Sequence, residues 1–345
     1  MSAATANEIE TQQPDLTVVV PVFNESDSLP AFWQRLDAVL GSLSLSCKIL
    51  FVDDGSTDSS AQWLADLAAR DTRVANLRLS RNFGKEAAMT AGLDYASGRA
   101  VVIIDADLQD PPELIPKFVE YWEKGFDVVY GKRESRPGES WLKRTSASLF
   151  YRLMDRLSDV PIPRDTGDFR LLSRRALDAL IGLREQHRYM KGLFAWVGFP
   201  QKAVSYVRAP RQQGKSKWDF WRLWNLALEG ITSFSAAPLK LATLLGLATS
   251  LFAFAYGTYF LLRTLLLGNP IPGYPSLIVI MLFLGGVQLV CLGIIGEYLA
   301  RTYGESKGRG LYIVMEYAPT TELPNATLGR GQEASGLRPE SVDDD

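Results

Sequence analysis

Histidine is almost missing from this chain: His187 stands alone among 345 residues, and the only cysteines are Cys47 and Cys291. A zinc site needs several such ligands at close spacing, so that chemistry is excluded, and a disulfide framework with it. A serine–histidine–acid triad would have to use His187. No G-x-S-x-G turn accompanies it, and a surface histidine beside Arg188 is the simpler reading. No G-x-G-x-x-G follows the first apolar run, which removes the dinucleotide oxidoreductases. The opening MSAATANEIETQQPD has no apolar core of a secretory signal, so the N-terminal domain is expected to stay in the cytosol. Net charge is only -2, which gives no bulk attraction to nucleic acid. Hydrophobic residues make up 47%, near the globular average, so the chain is not wholly embedded in a bilayer.

What is present is a repeating pattern. LTVVVPVF (16–23), KILFVDDGS (48–56), VANLRLS (74–80) and AVVIIDAD (100–107) read as strands. Helix-like stretches separate them: 28–43, with apolar Leu29, Phe32, Trp33, Leu36, Val39 and Leu40, then 59–71, then 85–96. Continuous Val/Ile runs alternating with helices predict an α/β fold with a mostly parallel sheet and helices on both faces. Ligands in such sheets bind beyond the carboxyl ends of the strands. Asn24–Glu25, Asp53–Asp54 and Asp105–Asp107 all stand at those ends.

Two late segments lack charge. LATLLGLATSLFAFAYGTYFLL (241–262) has none, nor does the run from Thr264 to Gly296. Each reaches the length of about 20 residues that spans a bilayer, and charge-free helices of this length are rare in soluble cores. Two spans are expected, about 239–263 and 275–298, joined by the turn-rich GNPIPGYP. Lys215, Lys217, Arg222 and Lys240 lie before the pair, and Arg301, Lys307 and Arg309 after it. That bias puts both ends in the cytosol, the link outside, and the protein in the inner (cytoplasmic) membrane. WLKRTSASLFYRLMDRL (141–157) and KWDFWRLWNLALEGITSF (217–234) mix aromatic and basic residues. The second suits a helix on the membrane surface, and the first suits either that or an ordinary core-facing helix. This organises the chain as a flexible 1–15, a cytosolic domain 16–216, a juxtamembrane helix 217–235, two spans within 238–300, and a cytosolic 301–345 disordered after about 318.

Asp105 and Asp107 close a buried-looking strand only two residues apart. Like charges at that spacing need something positive nearby. A hard divalent cation takes one or two carboxylates and bridges substrate phosphates, and the Gln109 amide is a possible further ligand. Asp110 and the two prolines after it suit the end of the turn and the first turn of a helix. Lys85, Arg133, Arg211 and Lys217 supply basic charge on other segments, and Arg and Lys with a metal suit a diphosphate leaving group.

PVFNE (21–25), VDDGSTD (52–58), RNFGKEAA (81–88), DADLQDPPE (105–113), DTGDFR (165–170) and RQQGKSK (211–217) occur in this order. Together they resemble the inverting family 2 glycosyltransferases of GT-A-type fold. With two C-terminal spans, the chain resembles the polyprenyl-phosphate branch, which includes dolichol-phosphate mannose synthase and, closer, the bacterial bactoprenol glucosyltransferases. The Q-x-x-R-W motif of the processive synthases is absent, which favours transfer of a single sugar.

The resemblance implies a role for each matching position. Pro21, Phe23, Glu25, Val52 and Asp54 would hold the nucleotide, with Phe23 standing where the family often has tyrosine. Asp105, Ala106 and Asp107 would meet metal and diphosphate, and Gln109 would complete the shell of Mg2+ or Mn2+. Lys85, Arg133, Arg211 and Lys217 would serve the phosphates, and Arg144 and Ser148 the lipid phosphate. Asp165, then Asp168, would assist or position the nucleophile. The implied reaction moves a hexose from a nucleotide sugar, UDP-glucose first, to undecaprenyl phosphate. GDP-mannose, UDP-galactose, UDP-galacturonate and UDP-aminoarabinose stay open as donors, and relatives suggest a homo-oligomer, a tetramer. Two rivals also stay open: a nucleotide-sugar-binding membrane scaffold, and a transferase with a soluble or protein acceptor.

Overall fold

A computed structural model describes residues 13–134, 166–186, 188–207, 237–267 and 274–320. The helices expected at 141–157 and 217–234, the first residues and the tail lie outside the described residues.

β1 (Leu16–Val22) is buried along almost its whole length, as a strand covered on both faces must be. It pairs in parallel with β2 (Cys47–Asp53) and β4 (Ala100–Ile103), and β2 pairs in parallel with β3 (Val74–Leu79). The strand period of two sorts the side chains by face. Val18 and Val20 join α1 (Leu29–Gly41) and α4 (Ile115–Glu123) in one core. Val19 and Leu50 join α3 (Lys85–Tyr95), α5 (Arg174–Ile181) and α6 (Met190–Trp196) in the other. α1 buries Leu29, Phe32, Leu36 and Leu40, the stripe read from its spacing. α2 (Ser60–Ala68) bridges β2 and β3.

The remaining strands make the sheet mixed. β5 (Val128–Arg133) and β7 (Gln201–Tyr206) are parallel, but β6 (Thr166–Ser173) lies antiparallel between β4 and β5. Ile103 is opposite Arg170 and Lys132 is opposite Thr166. An antiparallel strand starts where its neighbours end, so the first residues of β6 arrive at the acidic edge. β8 (Val314–Ala318) adds a second antiparallel strand, against β3, giving the order β7-β5-β6-β4-β1-β2-β3-β8.

α7 (Ala237–Leu267) and α8 (Tyr274–Ser306) are long, apolar and packed on each other. Both are long and apolar enough to span a membrane. Phe252, Phe254, Leu266 and Leu289 stand exposed on them, so these are not the core helices of a soluble domain. Immediately after α8 the chain returns to the sheet as β8.

Candidate active site

Three loops at the carboxyl edge are tied together before any ligand is considered. Asn24 takes the left-handed backbone region (φ 54°), which asparagine tolerates. Its Oδ1 accepts from the Thr57 N–H at 2.8 Å, and its own N–H donates to Ser56 Oγ at 3.0 Å. The Glu25 N–H donates to Ser60 Oγ, also at 3.0 Å. Gly55 (φ +68°) lies so close to the third loop that a Cβ would meet the Arg81 carbonyl carbon at 2.5 Å. Asp54 receives the N–H groups of Phe83 (2.7 Å) and Gly84 (2.9 Å). Burial pushes the Asp54 carboxyl above its ordinary pKa, and those two N–H groups offset only part of it.

Gly84 (φ +99°) turns the chain into α3, whose first residue is Lys85. The Lys85 ammonium donates to Asp105 Oδ2 at 2.7 Å and to Asp168 Oδ2 at 2.6 Å. Among the described residues, then, the positive group beside Asp105 is a lysine. Burial raises the Asp105 carboxyl despite Lys85. For Asp168 burial works the same way, but Lys85 overcomes it and holds that carboxyl below the usual range. Lys85 itself is pushed well up: burial would lower it, and the two acids outweigh that.

The loop after β4 bends through Leu108 (φ 60°), and the Gln109 N–H donates to Asp107 Oδ1 at 3.1 Å. Asp110 is not a helix cap. It is fully buried, accepts from the Tyr206 hydroxyl, and faces the Arg133 guanidinium at 3.8 Å. The helical turn after it starts at Pro112 without a side-chain cap. Arg133 also donates to the Tyr206 hydroxyl (3.3 Å) and presses on Gly167, where a Cβ would stand 2.6 Å from its guanidinium.

A cleft of about 250 Å³ opens on this edge. Of the residues singled out in the sequence, Pro21, Phe23, Glu25, Asp54, Lys85, Asp105, Ala106 and Asp107 line it. Asp168 joins through Lys85, Gln109 is buried, and the half-buried Arg133 faces Asp110. Val52 is placed elsewhere: it is fully buried in the sheet core and does not line the cleft. Asp165, Arg144, Ser148, Arg211 and Lys217 lie outside the described residues. Sequence reasoning missed Asn82 and Gly84 on the cleft wall, and two cations within electrostatic reach of Asp168. Arg170 is buried, donates to the Gly167 carbonyl at 2.8 Å and lies 3.5 Å over the Phe194 ring. Burial pulls its pKa down to about 10. Lys191 stands nearby on α6, in the HRYMKG stretch, where only its basic charge could have drawn notice.

Among the described residues no three acids, cysteines or histidines cluster tightly enough to hold a metal by themselves. The donor set still fits a hard divalent cation, since such ions take one or two carboxylates and leave other positions to water and phosphate. Asp105 and Asp107 both face the cleft.

The sheet, its acidic edge and the cleft fit the GT-A-like transferase that the resemblance implies. The family model described as "Glycosyl transferase family 2" matches residues 17–181, and the one described as "GtrB C-terminal hairpin" matches residues 237–302. An uncharacterized glycosyltransferase of Synechocystis is 49% identical over 314 residues, covering 90% of this chain and 99% of that protein. The bactoprenol glucosyl transferase of Shigella phage SfV is 47% identical over 299 residues, covering 87% and 97%. Glucosyl-3-phosphoglycerate synthase from Mycobacterium tuberculosis, solved with Mn2+ and UDP-glucose, is a distant likeness: TM-score 0.42, 21% identity, 64% of this chain and 78% of that one. The chain belongs to the family 2 glycosyltransferases, among the GtrB-like bactoprenol/polyprenyl-phosphate enzymes.

Proposed function

We propose that this glycosyltransferase moves one hexose, glucose from UDP-glucose first, to undecaprenyl phosphate at the cytosolic face of the membrane. The observation that carries the reading is the Lys85 bridge between Asp105 and Asp168, at a cleft lined by the residues expected to hold the donor. The similarity to bactoprenol glucosyl transferases supports both the sugar and the lipid.

Pro21, Phe23 and Glu25 would hold the nucleotide, with Asp54 fixing the loop that presents Lys85. Asp105 and Asp107 would hold Mg2+ or Mn2+, which supplies positive charge to the departing diphosphate. An oxygen of the acceptor phosphate attacks the anomeric carbon from the face opposite the nucleotide. The new carbon–oxygen bond forms as the bond to the diphosphate breaks, and UDP takes the electron pair. The second pKa of a phosphate monoester is about 6, so near neutrality the nucleophile is already an oxyanion and requires no general base. Asp168, held ionised by Lys85, suits positioning better than proton transfer. Asp165, Arg144, Ser148, Arg211 and Lys217 keep the roles that the resemblance implies. A homo-oligomer, with spans in the cytoplasmic membrane and both ends cytosolic, completes the reading.

The test is direct. The purified full chain, with Mg2+ or Mn2+, undecaprenyl phosphate and labelled UDP-glucose, should yield an organic-extractable, lipid-linked sugar. No such product from UDP-glucose, GDP-mannose, UDP-galactose, UDP-galacturonate or UDP-aminoarabinose would overturn the reading.

A further inference from the structure

Among the described residues, Lys191 is the cation of this region with neither an ion pair nor a hydrogen bond. It occupies the second position of α6 and is half-buried. Its neighbours are all committed. Lys85 is held by Asp105 and Asp168, Arg133 by Asp110 and the Tyr206 hydroxyl, and Arg170 by the Gly167 carbonyl and the Phe194 ring.

The placement of Lys191 follows from packing. Phe194 is three positions further along α6, so the two side chains share a helix face. The Phe194 ring lies 3.5 Å from the Arg170 guanidinium, which sets that face against β6 on the side that carries Arg170. Asp168 is two residues before Arg170, hence on the same face of the strand. Lys191 therefore lies within electrostatic reach of Asp168 and of the cations Arg133, Lys85 and Arg170. Burial first, then those cations, depress its basicity, and Asp168 offsets only part of this. Holding an ammonium half-dry among like charges is unfavourable unless an anion completes the site.

We propose that Lys191 is a phosphate-binding residue of the active site, donating its ammonium to an oxygen of a substrate phosphate held beside Asp168 and Arg133. This rests on the transferase reading above. The donor diphosphate and the acceptor monoester present the same chemistry, and binding measurements separate them. Full-length wild type, Lys191→Met, Lys191→Gln and Lys191→Arg in detergent are titrated with UDP plus Mn2+ and, separately, with undecaprenyl phosphate. A charged hydrogen bond of ordinary strength predicts that Met and Gln each weaken one of these ligands about 10- to 100-fold, and that Arg recovers most of the loss. Weakened UDP binding assigns the contact to the donor, and weakened lipid binding assigns it to the acceptor. Unchanged affinity for both ligands, in Met or Gln variants that melt with the wild type, overturns the proposal. Wild type that binds both ligands yet makes no lipid-linked sugar instead fails the transferase reading and leaves this measurement standing.

Discussion

Lys85 has two carboxylate partners, and removing it takes away the ammonium that bridges them. Lys85→Met should therefore lower kcat by about 10²- to 10³-fold, the size of effect seen when one preorganised electrostatic group is lost. Steady-state transfer to undecaprenyl phosphate checks this, and full activity in the variant would remove the role. Asp107→Ala should abolish transfer while the far-ultraviolet circular dichroism of the chain stays unchanged, because Asp107 faces the cleft and not the core. Cys47 gives a prediction free of catalysis. Burial pushes its thiol up to about 11, and nearby Arg73 offsets only part. A thiol reacts as the thiolate, so in a Cys291→Ser background alkylation should be slow at pH 8 and accelerate only as pH approaches that value. Rapid labelling at pH 8 would contradict the burial.

At the scale of elements, the alternation of apolar runs and amphipathic stretches was enough to place β1 to β4 and α1 to α3, because each strand there is followed by its own crossover helix. The acidic strand ends were legible for the same reason. Strand direction further on was not. A strand sequence such as TGDFRLLS (166–173) carries no mark of which way it lies in the sheet, so the antiparallel entry of β6, and with it the pairing of Lys85 with Asp168 across 83 positions, stayed hidden. β8 escaped notice because a five-residue strand after a membrane helix looks like the start of a tail. Yet it is anchored: Tyr317 packs edge-on to Tyr95 with centroids 4.9 Å apart, and the Tyr312 hydroxyl donates to Asp94 at 2.7 Å. An aromatic pair and a charged hydrogen bond together contribute about 2 kcal/mol. Ending the chain after Gly310 should lower the melting temperature by about 4–8 °C, read by thermal unfolding in detergent. An unchanged melting temperature would mean that β8 does not hold the sheet edge.

For the molecule as a whole, β8 constrains how the chain lies across a bilayer. α7 and α8 pack as neighbours, and the exit of α8 leads within a few residues to a strand paired with β3 of the catalytic sheet. A membrane crossed by α7 and α8 would therefore have the end of α8 and the active site on the same side. At 1.5 Å per residue the 33 residues of α8 reach about 50 Å, against a hydrocarbon core of about 30 Å. The excess falls where charge returns, since Glu297 and Arg301 pair at 3.2 Å one turn apart near the end of α8. That charged stem would carry the sheet clear of the lipid while keeping its cleft near the headgroups that present a phosphate. A single cysteine placed at Asn269, with Cys47 and Cys291 changed to serine, should then react with a membrane-impermeant maleimide in right-side-out vesicles. A cysteine placed instead at Lys307 should react only in inverted vesicles. The opposite pattern would put the cleft on the outer face, away from cytosolic nucleotide sugars, and would sink the proposed reaction together with the topology.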